Sequence, residues 1–409
     1  MADELHIPAS DATVRVCMVD TTAIMRVNAK SFIEPVQPGH EFINIYVAAF
    51  LVEHGASGKK VMFDLGVRKD YWNLPAVLQK RLGFVIPDLR VDKDATEVLE
   101  ESGVTLDEIS SVIWSHYHWD HTGSMELFPP ATELVVGPGF KASPALLPGF
   151  PENVNSPVDS RAFKDRTLTE IGFDDDSDLT IGGFRAHDFF GDGSFYLLDT
   201  PGHCLGHMCG LARTTGGRDS TFMLLGGDIC HFPGDFRPSA KAPLPDPIPE
   251  GVLDRDDFFP TPCPCALFAD HHPQMRTCGT NTFNPRTTPF YRISTDVTAA
   301  YADPQLSQKS VDKLVSFDAS PSVLVCLSHD ATALKHLPNL NDNPEDDLND
   351  WKQRGYKQKI HWGWLNELPR NGKPGREPHV EGFWRDRKLW PEAKEELRKL
   401  GEKASSYSL

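Results

Sequence analysis

Short apolar runs, each closed by a polar or glycine cluster, set the pattern of this chain. Val14-Arg-Val-Cys-Met-Val, the run Phe42 to Val52 and Val61-Met-Phe-Asp-Leu predict strands, the last two joined by the turn-rich Gly55-Ala-Ser-Gly-Lys. Between 92 and 110, Ala95, Val98, Leu99 and Val104 fall at helical spacing and predict a helix and its exit. Ser111-Val-Ile-Trp, Leu134-Val-Val, Phe195-Tyr-Leu-Leu-Asp, Thr221-Phe-Met-Leu-Leu and Val323-Leu-Val-Cys-Leu predict further strands. Pro391 to Lys403 predicts a terminal helix. Strands that alternate with helices and end in polar clusters predict layered α/β sheets, with loops at one sheet edge carrying the chemistry.

Two regions break the pattern. Prolines at 233, 238, 243, 245, 247, 249, 260, 262 and 264 predict a long, largely irregular stretch from Pro233 to about Pro289. The region from about 340 to 409 is charged and carries tryptophans. The acidic Asp174-Asp-Asp-Ser-Asp is expected to be a solvated turn, because it lacks the ligand spacing and closing Glu of a calcium loop. One domain is expected over 1–409, with a core at about 40–335, an insertion at about 233–320 and a C-terminal extension at about 340–409.

The polar clusters at the strand ends are where the chemistry gathers. Ser115-His-Tyr-His-Trp-Asp-His-Thr-Gly sets His116, His118, Asp120 and His121 directly after an apolar run. Imidazole and carboxylate are the ligands of borderline divalent ions such as zinc, and no packing need accounts for four of them here. Three further clusters follow strands: Asp199-Thr-Pro-Gly-His203, Gly226-Gly-Asp228 with His231 three residues on, and Ser328-His329-Asp330. Each is weak alone. Their order and number in one chain point to a metal centre.

Composition excludes some uses of such a centre. A formal net charge of -17 argues against a general phosphate-backbone surface, hence against nuclease or RNA-processing roles. The eight cysteines form no paired Cys-x-x-Cys zinc spacing, and Cys263-Pro-Cys265 reads as a loop pair. No run approaches the ~18 apolar residues of a membrane span, and the acidic start lacks signal-peptide character. A cytoplasmic protein with a small-molecule substrate is expected, with no nucleic-acid or membrane partner; a homodimer is the one assembly considered.

With these clusters in order, the sequence resembles the metallo-β-lactamase superfamily over roughly residues 40 to 335. The matching positions are His116-x-His118-x-Asp120-His121, His203, Asp228 and His329, with Asp64 in Phe63-Asp64-Leu65-Gly66 at the family's early acidic position. The resemblance implies a four-layer αβ/βα sandwich with a binuclear metal centre at one edge. It implies that His116, His118 and His203 hold one divalent ion, that Asp120, His121 and His329 hold the other, and that Asp228 bridges them. Zinc suits the ligand set first, and manganese, iron and cobalt are compatible. Thr200-Pro-Gly-His203-Cys-Leu-Gly-His207 and His329-Asp330 look most like the quorum-quenching lactonases and their fungal relatives, some of which open cyclic amides and carbamates of the benzoxazolinone type. Those lactonases commonly place a tyrosine three residues after the bridging Asp; here that position is His231.

The implied reaction is hydrolysis of a small cyclic ester, amide or carbamate by a hydroxide shared between the metals, a lactonase or γ-lactamase chemistry that would serve detoxification. Asp120 is the candidate for proton handling and His231 for contact with the carbonyl or leaving group, while Asp64 would orient a ligand histidine through its other ring nitrogen. The insertion either covers the site or elaborates the surface. Phe232, Phe236, Phe290 and Tyr291 are candidates for an apolar substrate wall. A glyoxalase II-like thioesterase is the alternative, with Lys357, Lys359, Arg370 and Arg376 as the tail's cations. A flavodiiron-type redox protein is disfavoured, since that group resembles a chain with Glu at the position of His118 and an added flavin domain.

Overall fold

The computed structural model describes residues 5–405 apart from Lys80, Phe84, 174–178, 255–257 and 277–282. The acidic run 174–178 therefore lies outside the described residues.

The strand Val14–Asn28 pairs antiparallel with Phe42–His54, which pairs in turn with Lys60–Phe63. From there the pairing becomes parallel, through Ile109–Ile113 and Glu133–Val136 to Leu168–Glu170, and Asp88–Val91 closes the other edge to make seven strands. A second sheet of six strands runs from Val323–Cys326 through Phe222–Leu225, Met208–Arg213, Phe195–Asp199 and Phe184–Asp188 to Thr180–Ile181. The sheets face each other across a core in which Val16, Phe50, Val61 and Ile113 meet Phe195, Met208, Met223 and Leu324.

Both outer faces are covered. Cys17, Leu51, Met62 and Val112 pack under the helix Ala95–Glu101, while Leu211, Leu224 and Val325 pack under Val311, Leu314 and Phe317 of the helix Pro304–Ala319. A sheet buried on both faces needs apolar side chains at both parities of the strand, which is why Phe42 to Val52 reads as a continuous apolar run. The result is the αβ/βα sandwich.

Pro233 to Pro289 is largely irregular, as its prolines require; among the described residues it holds only the short turns Pro233–Asp235, Ala266–Ala269 and Pro273–Arg276. The helix Pro304–Ala319 at the end of the expected insertion escapes apolar periodicity, because Ser307, Ser310 and Asp318 share its buried face with Val311 and Leu314. Its real signal is the start: Asp303 accepts from the Leu306 N–H at 2.9 Å, with Pro304 at the first helical position.

A further apolar cluster joins the far ends of the first two strands (Met25, Val27, Ile43) to Phe232, Leu244 and Phe290 and to Trp364, Leu365 and Leu397 of the C-terminal extension. Insertion and extension thus share one core. The helix expected from Pro391 is present as Ala393–Ser405. Two of the extension's cations are structural: the partly buried Lys357 ammonium donates to the carbonyls of Asp318, Ser320 and Val323 at 2.5–2.7 Å, and Arg376 pairs with Asp254 and Glu367. That removes two of the four cations on which a thioesterase tail would draw.

Candidate metal centre

Parallel pairing assembles the site. Phe222–Leu225 lies beside Val323–Cys326 with Leu225 opposite Cys326, so both strands release their chains, bearing Asp228 and His329, at the same edge. Phe195–Asp199 points the same way, being two antiparallel steps from Phe222–Leu225, and delivers His203 there. In the other sheet Phe63 stands opposite Ile113, which brings Asp64 against Ser115 and aims His116 and His118 across the gap. The turn into His203 depends on Gly202, with φ of +128°; a Cβ there would lie 2.2 Å from the Ser307 nitrogen.

Two groups of side chains converge. In the first, His203 Nε2 lies 2.8 Å from His118 Nδ1, 3.2 Å from His116 Nε2 and 3.4 Å from Asp228 Oδ2. In the second, Asp228 Oδ1 lies 3.0 Å from His121 Nε2 and 2.9 Å from His329 Nε2, with Asp120 Oδ2 3.6 Å from His329 Nε2. The two oxygens of Asp228 therefore face different groups. The positions singled out as ligands in the sequence (His116, His118, Asp120, His121, His203, Asp228 and His329) all meet here.

The outward nitrogens are pinned. Asp64 accepts from the Ser115 backbone at 2.7 Å, from the Ser115 hydroxyl at 2.8 Å and from His121 Nδ1 at 2.8 Å. With its proton given to Asp64, the Ser115 oxygen accepts from His116 Nδ1 at 3.0 Å. His329 Nδ1 donates to the Tyr46 carbonyl at 2.8 Å. One hydroxyl, one carboxylate and one carbonyl thus turn the Nε2 atoms of His116, His121 and His329 inward. Asp64→Asn is expected to weaken metal retention by about 10–100-fold, the usual loss when a partner behind a ligand is removed; titration with a competing chelator checks it, and unchanged affinity would show that Asp64 serves packing only.

The inward atoms fit a cation. His121 Nε2, His329 Nε2 and Asp228 Oδ1 are buried without a hydrogen bond, although they approach one another within about 3 Å, so their contacts lack hydrogen-bond geometry. Burial opposes charge on His121 and His329, but Asp228 overcomes it, helped at His121 by Asp64, and holds both imidazoles above the usual histidine range. Burial likewise opposes charge on Asp228, whose carboxyl is held well below the usual range by His121, His329, His231 and His116. Burial keeps His116 and His203 well below the normal histidine pKa and His118 at about 4, so these offer neutral lone pairs. Neutral imidazoles beside a retained carboxylate make a donor set suited to divalent ions.

His231 is buried, with Nε2 3.0 Å from Asp228 Oδ2 and Nδ1 2.8 Å from the Tyr301 hydroxyl. Sequence reasoning did not reach Ser115, Tyr301 or the Tyr46 carbonyl, and it left His207 open between a partner behind the ligands and a turn histidine. His207 Nε2 accepts from the Asp228 N–H at 2.9 Å, and burial holds the ring at a pKa of about 3, suiting it to accept. The spacing Thr200-x6-His207, a ring closed by Thr200 Oγ1 at 2.8 Å, was the available signal.

The centre opens into a cleft of about 290 Å³ lined by His118, Asp120, His203, Asp228 and His231. Its apolar wall comes from Met25, Val27, Phe32, Ile45, Leu78 and Trp119, with Arg81 as the one cation among the described lining residues. Phe232, Phe290 and Tyr291 pack instead against the C-terminal extension, and Phe236 packs under the second sheet, so the expected aromatic wall is corrected. From the expected insertion only Ala300, outside its proline-rich part, lines the cleft among the described residues. A larger cleft of about 610 Å³, beside Asp254 and Lys335, holds no convergent ligand group among the described residues.

Comparison with known proteins agrees with this architecture. The metallo-β-lactamase superfamily model matches residues 44–215. A "Gamma-lactamase FDB1" of Fusarium pseudograminearum is 39% identical over 367 residues, covering 88% of this chain and 84% of that protein. A "Gamma-lactamase MBL2" of Gibberella moniliformis is 44% identical over 255 residues, 62% of this chain and all of that protein. A crystal structure of a mutant of B. thuringiensis AiiA with N-decanoyl-L-homoserine at its active site superposes with a TM-score of 0.51, at 15% identity, over 83% of this chain and 99% of that one. The fold and centre define a metallo-hydrolase. The chain belongs to the metallo-β-lactamase superfamily and is an enzyme. Among the described residues no helix is long and apolar enough to cross a membrane.

Proposed function

We propose that the chain is a metal-dependent hydrolase that opens a small cyclic amide, carbamate or ester, with the γ-lactam class first. The observation that carries this is Asp228, whose two oxygens serve two ligand groups at the floor of a mostly apolar cleft. Relatives named γ-lactamases at 39% and 44% identity support the amide side. His116, His118 and His203 would hold one divalent ion, Asp120, His121 and His329 the other, and Asp228 would bridge. Such ions, zinc first, supply carbonyl polarisation and an acidified water when bound.

The chain's own residues do the rest. The apolar wall at Phe32, Ile45 and Trp119 receives the ring and excludes bulk water. Asp120 lines the cleft with its side chain partly open to solvent, so it can pass a proton between the reacting groups and water. His231 presents its ring from the cleft wall and can donate to the substrate carbonyl or the departing nitrogen.

The test is mass-spectrometric detection of water addition across benzoxazolinone, γ-lactams, γ-lactones and acyl-homoserine lactones, with chelator-stripped protein as control. Metal-dependent opening of the cyclic amide or carbamate is expected, faster than of the lactones. Silence across the panel, or turnover indifferent to metal, would sink the reading.

A further inference from the structure

We propose that Arg81 determines substrate choice, and that the preferred substrate is a cyclic amide, carbamate or ester carrying a carboxylate remote from the bond that is cut. The proposal deepens the function proposed above and rests on it.

The segment 76–86 sets a charge between two apolar residues of a cleft wall. Two rows with a spacing of four run along it. Leu78, Leu82 and Ile86 are buried in the cluster shared with the insertion and the C-terminal extension. Val77, Arg81 and Val85 line the cleft onto which the metal centre opens. Both valines are half-buried and pack against that cluster, while Arg81 between them is exposed. The backbone holds this row in place. The Arg81 N–H donates to the Leu78 carbonyl at 2.8 Å, and the Arg81 carbonyl accepts from the Val85 N–H at 3.1 Å. The Val85 carbonyl in turn accepts from the Asn28 N–H at 3.1 Å, which ties the segment to the end of the first strand.

No protein group occupies the guanidinium. Among the described residues no carboxylate pairs with Arg81, whereas Arg237 is taken by Asp318 and Arg376 by Asp254 and Glu367. With 58 acidic side chains to 41 basic ones, partners for an arginine are in surplus, so one left unpaired beside the reacting centre is free to receive an anion. The carboxylates that line the cleft, Asp120 and Asp228, belong to the ligand groups.

A carboxylate is the fitting anion, because a planar guanidinium offers it two parallel N–H bonds. The reacting carbonyl is held at the metal centre and the ring against the apolar wall, so the carboxylate stands on a part of the substrate away from the bond that is cut. Ring opening leaves this contact unchanged. It therefore strengthens binding of substrate and transition state alike and acts on KM rather than kcat. Because Arg81 is exposed, salt weakens its pull.

The test uses matched probes: benzoxazolinones bearing a carboxylate at each position of the benzene ring in turn, each beside its carboxamide. Indanones with the same substituents, which have no bond to hydrolyse, report affinity by calorimetry; the benzoxazolinones report kcat and KM. Metal-loaded wild type, Arg81→Gln and Arg81→Lys are compared, with metal content measured. The carboxylate-to-carboxamide ratio is the readout, since damage to the fold or the centre moves both members of a pair together. In the wild type at least one carboxylate should bind about 10-fold more tightly than its carboxamide, the low end for a charge-assisted hydrogen bond, with the advantage in KM and shrinking as salt is raised. Arg81→Gln should erase the ratio and Arg81→Lys keep part of it. A wild type that treats every pair alike, or a ratio that survives Arg81→Gln, overturns the proposal. If the wild type opens no ring of the panel, the proposed function fails, and the indanone affinities still decide whether Arg81 reads a carboxylate.

Discussion

Replacing Asp228 by Asn is expected to cost more than replacing any single histidine of the centre. Each Asp228 oxygen faces one ligand group, Oδ1 toward His121 and His329 and Oδ2 toward His116 and His203. The amide keeps the volume but removes the charge, and one of its ends becomes a donor pointed into a cluster built to receive a cation. Bound metal should fall from two ions per chain toward one or none. Hydrolysis should drop by more than the roughly 10–100-fold associated with partners one step further out. Plasma mass spectrometry of the purified variant, paired with the mass-spectrometric hydrolysis assay, measures both. Two retained ions with activity within a few-fold of wild type would remove Asp228 from the bridging position.

The second large effect is on stability in acid, away from the centre. Burial holds His40 at a pKa of about 4 and His361 at about 3, against 6.5 for an ordinary histidine. His40 is enclosed beside the Tyr291 hydroxyl at 2.7 Å, and His361 sits behind the Arg237–Asp318 pair, where Arg237 and Lys357 add to the effect of burial. The sign follows from which state binds the proton. Between pH 6.5 and each folded pKa the unfolded chain is protonated at these rings and the native protein is not. Stability from these groups is therefore complete above pH 6.5 and falls as pH drops. The slope is about 1.4 kcal/mol per pH unit for each histidine, flattening below about pH 4 for His40 and about pH 3 for His361. Urea midpoints followed from pH 7 to 4.5 should fall steeply, and less steeply in His40→Gln and in His361→Gln. Because wild type and variants share the metal ligands, the difference in slope isolates the two rings. Parallel curves would mean that neither ring is neutral in the native protein.

Most of the centre was legible because metal chemistry is demanding locally. His116, His118, Asp120 and His121 crowd a single strand exit, and no packing need explains four metal-capable side chains there. His203, Asp228 and His329 were legible as the polar ends of apolar runs, whose order matches a known arrangement. Tyr301 and Ser115 carried no such mark: a phenol or hydroxyl is common anywhere, and only packing sets Tyr301 beside a histidine seventy positions earlier. The aromatic wall was misread for the converse reason. Phe232 directly follows His231 and Phe290 and Tyr291 close the proline-rich stretch, but apolar side chains have no directional chemistry, so they go wherever a core needs filling, here in the cluster shared with the C-terminal extension.

By itself, then, the sequence determined the layered α/β character, the strand exits and the candidate ligand residues, because alternation, turn residues and coordination chemistry act over a few residues. Tertiary structure decided which oxygen of Asp228 serves which group, which nitrogen of each histidine faces inward, and which residues wall the cleft. Those depend on hydrogen bonds and contacts between segments far apart in the chain, and only the closing of two sheets against each other brings such segments within reach.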